Sequence, residues 1–255
     1  MPLLPGAQPW RHDGSEVGVL VLHGFTGTPS SVQAWAEALA EGGFTVSVPR
    51  LPGHGTRWQD LAVTRWPDWY GEAERAFDEL RSRCRLVYVA ALSMGGTLAL
   101  RLAQQRGDQV AGLALVNPSI MDKRPLWLVP AIAWLVPAVP GIGGDIKKPG
   151  EPEASYRFTP LKAVASLARL WKLTQADLPA VRQPVLLFHS RVDHVVHPVN
   201  SQLLLERISS ADVTEHVLED SYHVATLDND APFIFARSRA WITEHAELTA
   251  EPQSL

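Results

Sequence analysis

A single cysteine, Cys84, stands among 255 residues, so no intramolecular disulfide can form and a reducing compartment is permitted. It lies between Arg83 and Arg85, just before an apolar run, and reads as a bystander rather than a nucleophile. The chain also lacks any run of Lys or Arg long enough to follow a phosphate backbone, and its formal net charge is −4. Nucleic acid is therefore not an expected partner. The first residues, MPLLPGAQPWRHDG, have neither the basic start nor the continuous apolar stretch of a secretion signal, which makes the cytoplasm the expected location. The most apolar window, Leu126 to Ile142, is shorter than the roughly 20 residues of a spanning helix and is interrupted by Pro130, Pro137 and Pro140. It does not read as a transmembrane segment.

What the chain does have is enough apolar content, 46%, to bury one large core. Strand and helix patterns alternate along it. Glu16 to Leu22 reads as a buried strand, followed by a glycine-rich loop, His23 to Pro29, and then a helix opened by Ser30 or Ser31 and stopped at Gly42-Gly43. Phe44 to Val48 is a second strand with a turn-rich loop, Pro49 to Gly55, behind it, and Trp66 to Arg81 has the apolar spacing of a helix. His54 in that loop reads as a residue that ties the loop together. Val110 to Val116 is the next strand. From 118 to 179 the alternation is lost and Trp, Pro and Gly become frequent, which marks an insertion ending in a helix pattern from Leu161 to Leu173. Alternation resumes with Val185 to His189, a helix from Val199 to Ile208, a strand from Val213 to Leu218 and a last helix from Ala231 to Ala246. Residues 1–117 and 180–246 thus form one α/β core, and 247–255 reads as a disordered tail. Such alternation implies a mostly parallel sheet with helices on both faces.

The most informative stretch is Arg85 to Leu100, RLVYVAALSMGGTLAL, in which an apolar strand meets Ser93 and leaves through Gly95 and Gly96 into a helix. A serine on so sharp a turn needs small neighbours, which Ala91 and Gly95 provide, although Ala91 stands where glycine is usual. A match to Gly/Ala-x-Ser-x-Gly arises by chance in roughly one chain in five of this length. Its context therefore has to carry the reading.

In parallel sheets, sites form beyond the carboxyl ends of the strands. That rule nominates His23 to Thr26, Pro52 to Gly55, Ser93, Asn117, Asp193 and His223. A serine hydroxyl is a poor nucleophile until a histidine takes its proton and a carboxylate orients that histidine. Asp193 and His223 follow the last two strands, giving the order Ser, Asp, His. The main-chain N–H groups of Met94 and Phe25 would form the oxyanion hole. The glycine-rich loop lacks the Gly-Lys-Ser/Thr of a phosphate cradle. Asp220 and Asp228 compete with Asp193 but follow no strand directly, and His194 and His197 have no third ligand that would make a metal site, so no metal is expected. His189 reads as a satisfied core histidine.

Taken together, HGFTG at His23 to Gly27, LPGHG at Leu51 to Gly55, LSMGG at Leu92 to Gly96, DHVV at Asp193 to Val196 and SYHVATLD at Ser221 to Asp228 resemble the α/β-hydrolase superfamily. Within it they are most similar to bacterial monoacylglycerol lipases and small thermostable carboxylesterases. The resemblance spans the chain from Val19 to the last helix. It implies the α/β-hydrolase fold, ester hydrolysis through an acyl-enzyme on Ser93, no cofactor, and a cap formed by the insertion. It further implies that Ile142 shapes the acyl side and that Glu153 accepts hydrogen bonds from glycerol hydroxyls, with a solvated acid as the alternative for Glu153.

The cap segment Leu126, Trp127, Leu128, Val129, Ile132, Trp134, Leu135 and Val136 has two readings: burial against the core, or a lid that transiently touches lipid surfaces while acyl chains enter beneath it. The expected function is a serine carboxylic-ester hydrolase acting on monoacylglycerols or medium-chain esters. Non-lipid ester hydrolysis or haloperoxidase chemistry on the same fold is the alternative. A non-catalytic binding relative would have a broken triad, whereas all three residue types are present here.

Overall fold

The strand patterns are apolar enough to be covered on both faces, and the fold follows from how that cover is shared. The computed structural model describes residues 2–124 and 128–250. Among them, β1 (Trp10–His12), β2 (Val17–Leu22), β3 (Thr45–Val48), β4 (Leu86–Leu92), β5 (Gly112–Val116), β8 (Val185–Ser190) and β9 (Val213–Leu218) build one sheet in the order β1-β3-β2-β4-β5-β8-β9. Within this sheet, among the described residues, only β1 pairs antiparallel. The strand β4 that leads to Ser93 lies between β2 and β5, with Ala91 opposite Leu22 and Leu115.

Alternate residues of each strand point to opposite faces. Leu20, Leu22, Val87, Val89 and Leu113 therefore pack with α3 (Trp66–Arg81), α4 (Met94–Arg106) and α6 (Leu161–Ala176). Val19, Val21, Tyr88, Ala90 and Ala114 pack with α1 (Ser30–Glu41) and α8 (Ala231–Ala250) on the other side. Helix α3 starts where Asp68 accepts the Arg65 N–H at 2.7 Å and Pro67 occupies the first turn. Arg75 pairs with Glu72 and Glu79 on its outer face, each pair contributing about 0.2–0.5 kcal/mol. Fully burying Trp69 on its inner face removes apolar area equivalent to about 4–6 kcal/mol before ordering costs, so packing fixes this helix.

Helix α2 (Trp58–Val63) closes the loop after β3. Between β5 and β8 the chain forms α5 (Val129–Ile132), a two-stranded antiparallel sheet of β6 (Ala138–Pro140) and β7 (Phe158–Pro160), and α6, which buries Leu167, Leu170 and Trp171 in the main core. Helix α7 (Val199–Arg207) and β9 complete the sheet edge. The last helix runs to Ala250, past the point where the sequence suggested a disordered tail. Glu247 to Ala250 contain no helix breaker before Pro252, so helical hydrogen bonding continues although Leu248 is exposed. Residues 251–255 lie outside the described residues, as do Leu126 and Trp127 of the apolar cap run.

Gly95 is required by close approach rather than by its dihedral angles: a Cβ there would lie 2.5 Å from the Leu22 carbonyl oxygen of β2. Gly95→Ala should therefore lower the unfolding free energy by about 1–3 kcal/mol or more, read as a reduced urea midpoint. An unchanged midpoint would show that β2 and α4 can separate without cost.

Candidate active site

Ser93 follows β4 directly and precedes the first residue of α4, with φ 56° and ψ −118°, a left-handed conformation that non-glycine residues seldom adopt. Its N–H donates to Val116 O at 3.0 Å, and its carbonyl accepts from Ser119 N at 3.1 Å, so β5 and the segment after it hold the turn from both sides. Gly24 lies close enough that a Cβ there would be 3.3 Å from Ser93 Cβ. The hydroxyl is thereby presented above the carboxyl edge of the sheet.

The loops after β8 and β9 bring Asp193 and His223 to that hydroxyl. Ser93 Oγ lies 2.9 Å from His223 Nε2, and His223 Nδ1 lies 2.8 Å from Asp193 Oδ2. The Asp193 side chain is 2% exposed and that of His223 8%. An ionised carboxylate only accepts, so Nδ1 carries the proton and Nε2 offers a lone pair to the serine O–H. The other carboxylate oxygen, Oδ1, is occupied by the N–H groups of Val195 at 2.8 Å and Val196 at 2.6 Å, which fixes the carboxylate before the histidine reaches it. Proton abstraction from Ser93, with the imidazolium stabilised by Asp193, is the chemistry this arrangement can perform.

Met94 and Phe25 line the same cavity as Ser93 and His223. Met94 is the first residue of α4, where N–H groups have no partner within the helix and the positive end of the helix dipole lies. The cavity has a volume of about 390 Å³ and is mostly apolar, lined from the inserted segment by Leu128, Val129, Ile132 and Val139. Ile142 and Glu153 also face it. Glu153 Oε2 accepts the Gly144 N–H at 2.6 Å. Of the apolar cap run, Leu128, Val129 and Ile132 line the cavity, Leu128 and Ile132 while partly exposed, and Trp134 and Leu135 are 82% and 87% exposed. Among the described residues, none of the large apolar side chains of this run is buried against the core.

The remaining candidates are placed elsewhere. Asp228 accepts the N–H groups of Lys147, Lys148 and Tyr222 and does not replace Asp193. His197 lies against Lys123, while His194 pairs with Asp145 at 2.7 Å. His189 pairs with Glu215 at 2.8 Å, but its buried Nδ1 has no partner among the described residues, so only half of its expected satisfaction is met. Cys84 is buried against Gly18, and burial pushes its thiol pKa up, which keeps it unreactive. Sequence reasoning nominated Asn117 without giving it a role. It adopts φ 44°, and its Nδ2 donates to His223 O at 2.8 Å and to Tyr222 O at 3.3 Å. Tyr156 was missed altogether: its hydroxyl donates to Gly53 O at 2.7 Å and accepts from Thr56 N at 3.0 Å, tying the insertion to the loop after β3.

These features define a class. The chain matches the model of the alpha/beta hydrolase family over residues 19–236 and belongs to that family. It is 41% identical over 252 residues to a thermostable monoacylglycerol lipase of Bacillus sp. (strain H-257), covering 96% of this chain and 98% of that one. Among solved structures it is similar to a metagenome-derived lipolytic enzyme, with 40% identity, a TM-score of 0.93, and coverage of 96% of this chain and 100% of the other. A monoacylglycerol lipase of Paleococcus ferrophilus shares the fold at 18% identity and a TM-score of 0.78, over 96% of this chain and 100% of that one.

Beside the loop that carries Phe25, His23 and His54 stack edge to face with ring centroids 5.1 Å apart. His54 Nδ1 donates to Pro52 O at 3.1 Å, which is the loop-tying contact expected for it. His23 Nδ1 donates to Gly24 O at 2.9 Å and Nε2 accepts the Leu51 N–H at 3.2 Å, an arrangement that requires the neutral ring. Burial lowers the His23 pKa to about 4 and drives that of His54 well below 6.5, with His23 adding to the latter. The unfolded chain binds these protons more readily, so stability is complete above pH 6.5 and declines as pH falls toward 4. For His23 alone the loss is on the order of 3 kcal/mol. Urea unfolding at pH 7 and pH 4.5 should show this decline, and the difference should shrink in His23→Gln; an equal difference would assign the acid sensitivity elsewhere.

Proposed function

We propose that this chain is a serine carboxylic-ester hydrolase that acts on monoacylglycerols and medium-chain esters through an acyl-enzyme on Ser93. The observation that carries this reading is the unbroken hydrogen-bonded path from Ser93 Oγ through His223 to Asp193 at the floor of an apolar cavity.

Ser93 Oγ attacks the ester carbonyl while its proton passes to His223 Nε2. The carbonyl oxygen becomes an oxyanion, and the N–H groups of Phe25 and Met94 stabilise it. Collapse of the tetrahedral species breaks the bond to the alcohol, which leaves with the proton from His223. Water then donates a proton to His223 as it attacks the acyl-enzyme, and the second collapse frees the carboxylic acid and restores Ser93. Asp193 holds the imidazole orientation throughout and offsets its transient positive charge.

The inserted segment, 118–179, acts as the cap. Its cavity-lining apolar side chains and Ile142 receive the acyl chain, and Glu153, an acidic group at the cavity wall, accepts hydrogen bonds from the glycerol hydroxyls. The exposed Trp134 and Leu135 suit the cap for transient contact with a lipid surface, where an indole at the boundary and an aliphatic side chain inside it are both favourable. Lys162 lies 4.9 Å from the Trp134 ring centroid, and its cation adds attraction to anionic headgroups.

Ser93→Ala should lower kcat by roughly 10⁴-fold or more on every ester. Retained hydrolysis in that variant would overturn the acyl-enzyme reading. Glu153→Ala should lower kcat/KM roughly 10- to 100-fold on a monoacylglycerol, as expected for loss of a charge-assisted hydrogen bond, and less on a simple alkyl ester. Equal losses on both substrates would remove the glycerol role.

A further inference from the structure

Asp145 lies in the inserted segment between β6 and β7, yet its carboxylate, 14% exposed, is bonded to both loops that carry the acid and the base. Oδ1 meets His194 Nδ1 at 2.7 Å. Oδ2 accepts two main-chain N–H groups, His194 at 3.1 Å and His223 at 3.2 Å. The Asp145 carbonyl accepts a third, Val224, at 3.0 Å. The peptide of His223 is therefore gripped from two directions, at its N–H by Asp145 and at its carbonyl by Asn117 at 2.8 Å. A second carboxylate continues the seam, since Asp228 in the loop after β9 accepts the N–H groups of Lys147 at 2.7 Å and Lys148 at 2.9 Å.

We infer that Asp145 is a positioning residue for hydrolysis, which couples the cap to the catalytic geometry by fixing the main chain of His223 relative to that of the Asp193 loop. The inference rests on the reading of Ser93, His223 and Asp193 as the catalytic groups. The physical basis is that a side chain can be no better placed than the peptide that bears it. The Asp193 to His223 contact orients the ring, but the distance from Nε2 to Ser93 Oγ also depends on where the His223 backbone sits. That backbone follows an edge strand, β9, which among the described residues pairs only with β8. Charge-assisted bonds to N–H groups are stronger than neutral ones, and misplacement by about 1 Å costs roughly 100-fold in rate. The same segment bears Glu153, bonded to Gly144 N at 2.6 Å, so this cavity-lining carboxylate lies two short links from His223.

A series of variants separates placement from charge. Both main-chain N–H groups go to one oxygen, so Asp145→Asn can keep them through its carbonyl, whereas Asp145→Ala removes the acceptor and Asp145→Glu keeps the charge but moves it by a methylene. Asp145→Ala should lower kcat roughly 10- to 100-fold on an aryl ester and on a monoacylglycerol alike, with KM within about twofold. Asp145→Asn should restore kcat to within about fivefold of the unaltered protein, and Asp145→Glu should fall below Asp145→Asn. At a temperature well below unfolding, the far-downfield proton resonance of His223 Nδ1–H should broaden in Asp145→Ala and return in Asp145→Asn. If Asp145→Ala does not fold, the ranking of Asn above Glu still decides. Unaltered kcat in Asp145→Ala beside an inactive Ser93→Ala would overturn this inference alone, and so would Glu outperforming Asn. Full activity in Ser93→Ala would overturn the triad reading and this inference with it.

Discussion

The reversal of the chain at Ser93 is the constraint on which the rest of the site depends. Strand β4 passes into α4 with a single residue between them, and that residue is forced to φ 56°. Such a conformation costs on the order of 1–3 kcal/mol and persists only where surrounding contacts outweigh it. Here β2 closes against Gly95, β5 takes the Ser93 N–H, and Ser119 takes its carbonyl, while Thr97 in the first turn of α4 donates to the Ser119 carbonyl. The central position of β4 in the sheet supplies the rigidity. Strain at one residue is thus offset by the sheet's own pairing and by packing on both faces.

Asp193 and His223 lack that central support. They follow β8 and the edge strand β9, and side chains of Asn117 and Asp145 help to hold their loops. Asn117, itself at φ 44° after β5, binds the carbonyls of Tyr222 and His223, and it accepts the Ser190 N–H at 2.7 Å as β8 ends. One asparagine therefore ties together the ends of β5 and β8 and the loop that carries His223. From the opposite side the inserted segment supplies Asp145, and Asp228 returns the contact. The inserted segment does more than line the cavity, because it and the loop that carries His223 share hydrogen bonds in both directions.

Much of this was legible in the chain because it depends on local pattern. Apolar runs named the strands, the residues immediately after them named Ser93, Asp193, His223 and Phe25, and small residues around Ser93 signalled the sharp turn. The structure brings those residues together. What was not legible depends on tertiary approach. Asp145 sits in a Gly-rich run that looks like an ordinary loop, and nothing in its neighbours tells that a carboxylate there will meet two N–H groups from far along the chain. Tyr156 and Asn117 are alike in this respect, since their roles are defined by carbonyls and N–H groups that belong to other loops. The end of α8 was misread for the opposite reason: Glu247 to Ala250 lack an apolar stripe to bury, yet a formed helix extends through such residues until a breaker intervenes.

The central claim is that Ser93 is the nucleophile and that His223 activates it. Tandem mass spectrometry after reaction with an alkyl fluorophosphonate tests both parts at once. The predicted result is a single phosphonyl adduct on the peptide that contains Ser93, formed rapidly in the unaltered protein and only slowly in His223→Ala. An adduct on another residue, or undiminished labelling of Ser93 without His223, would contradict it.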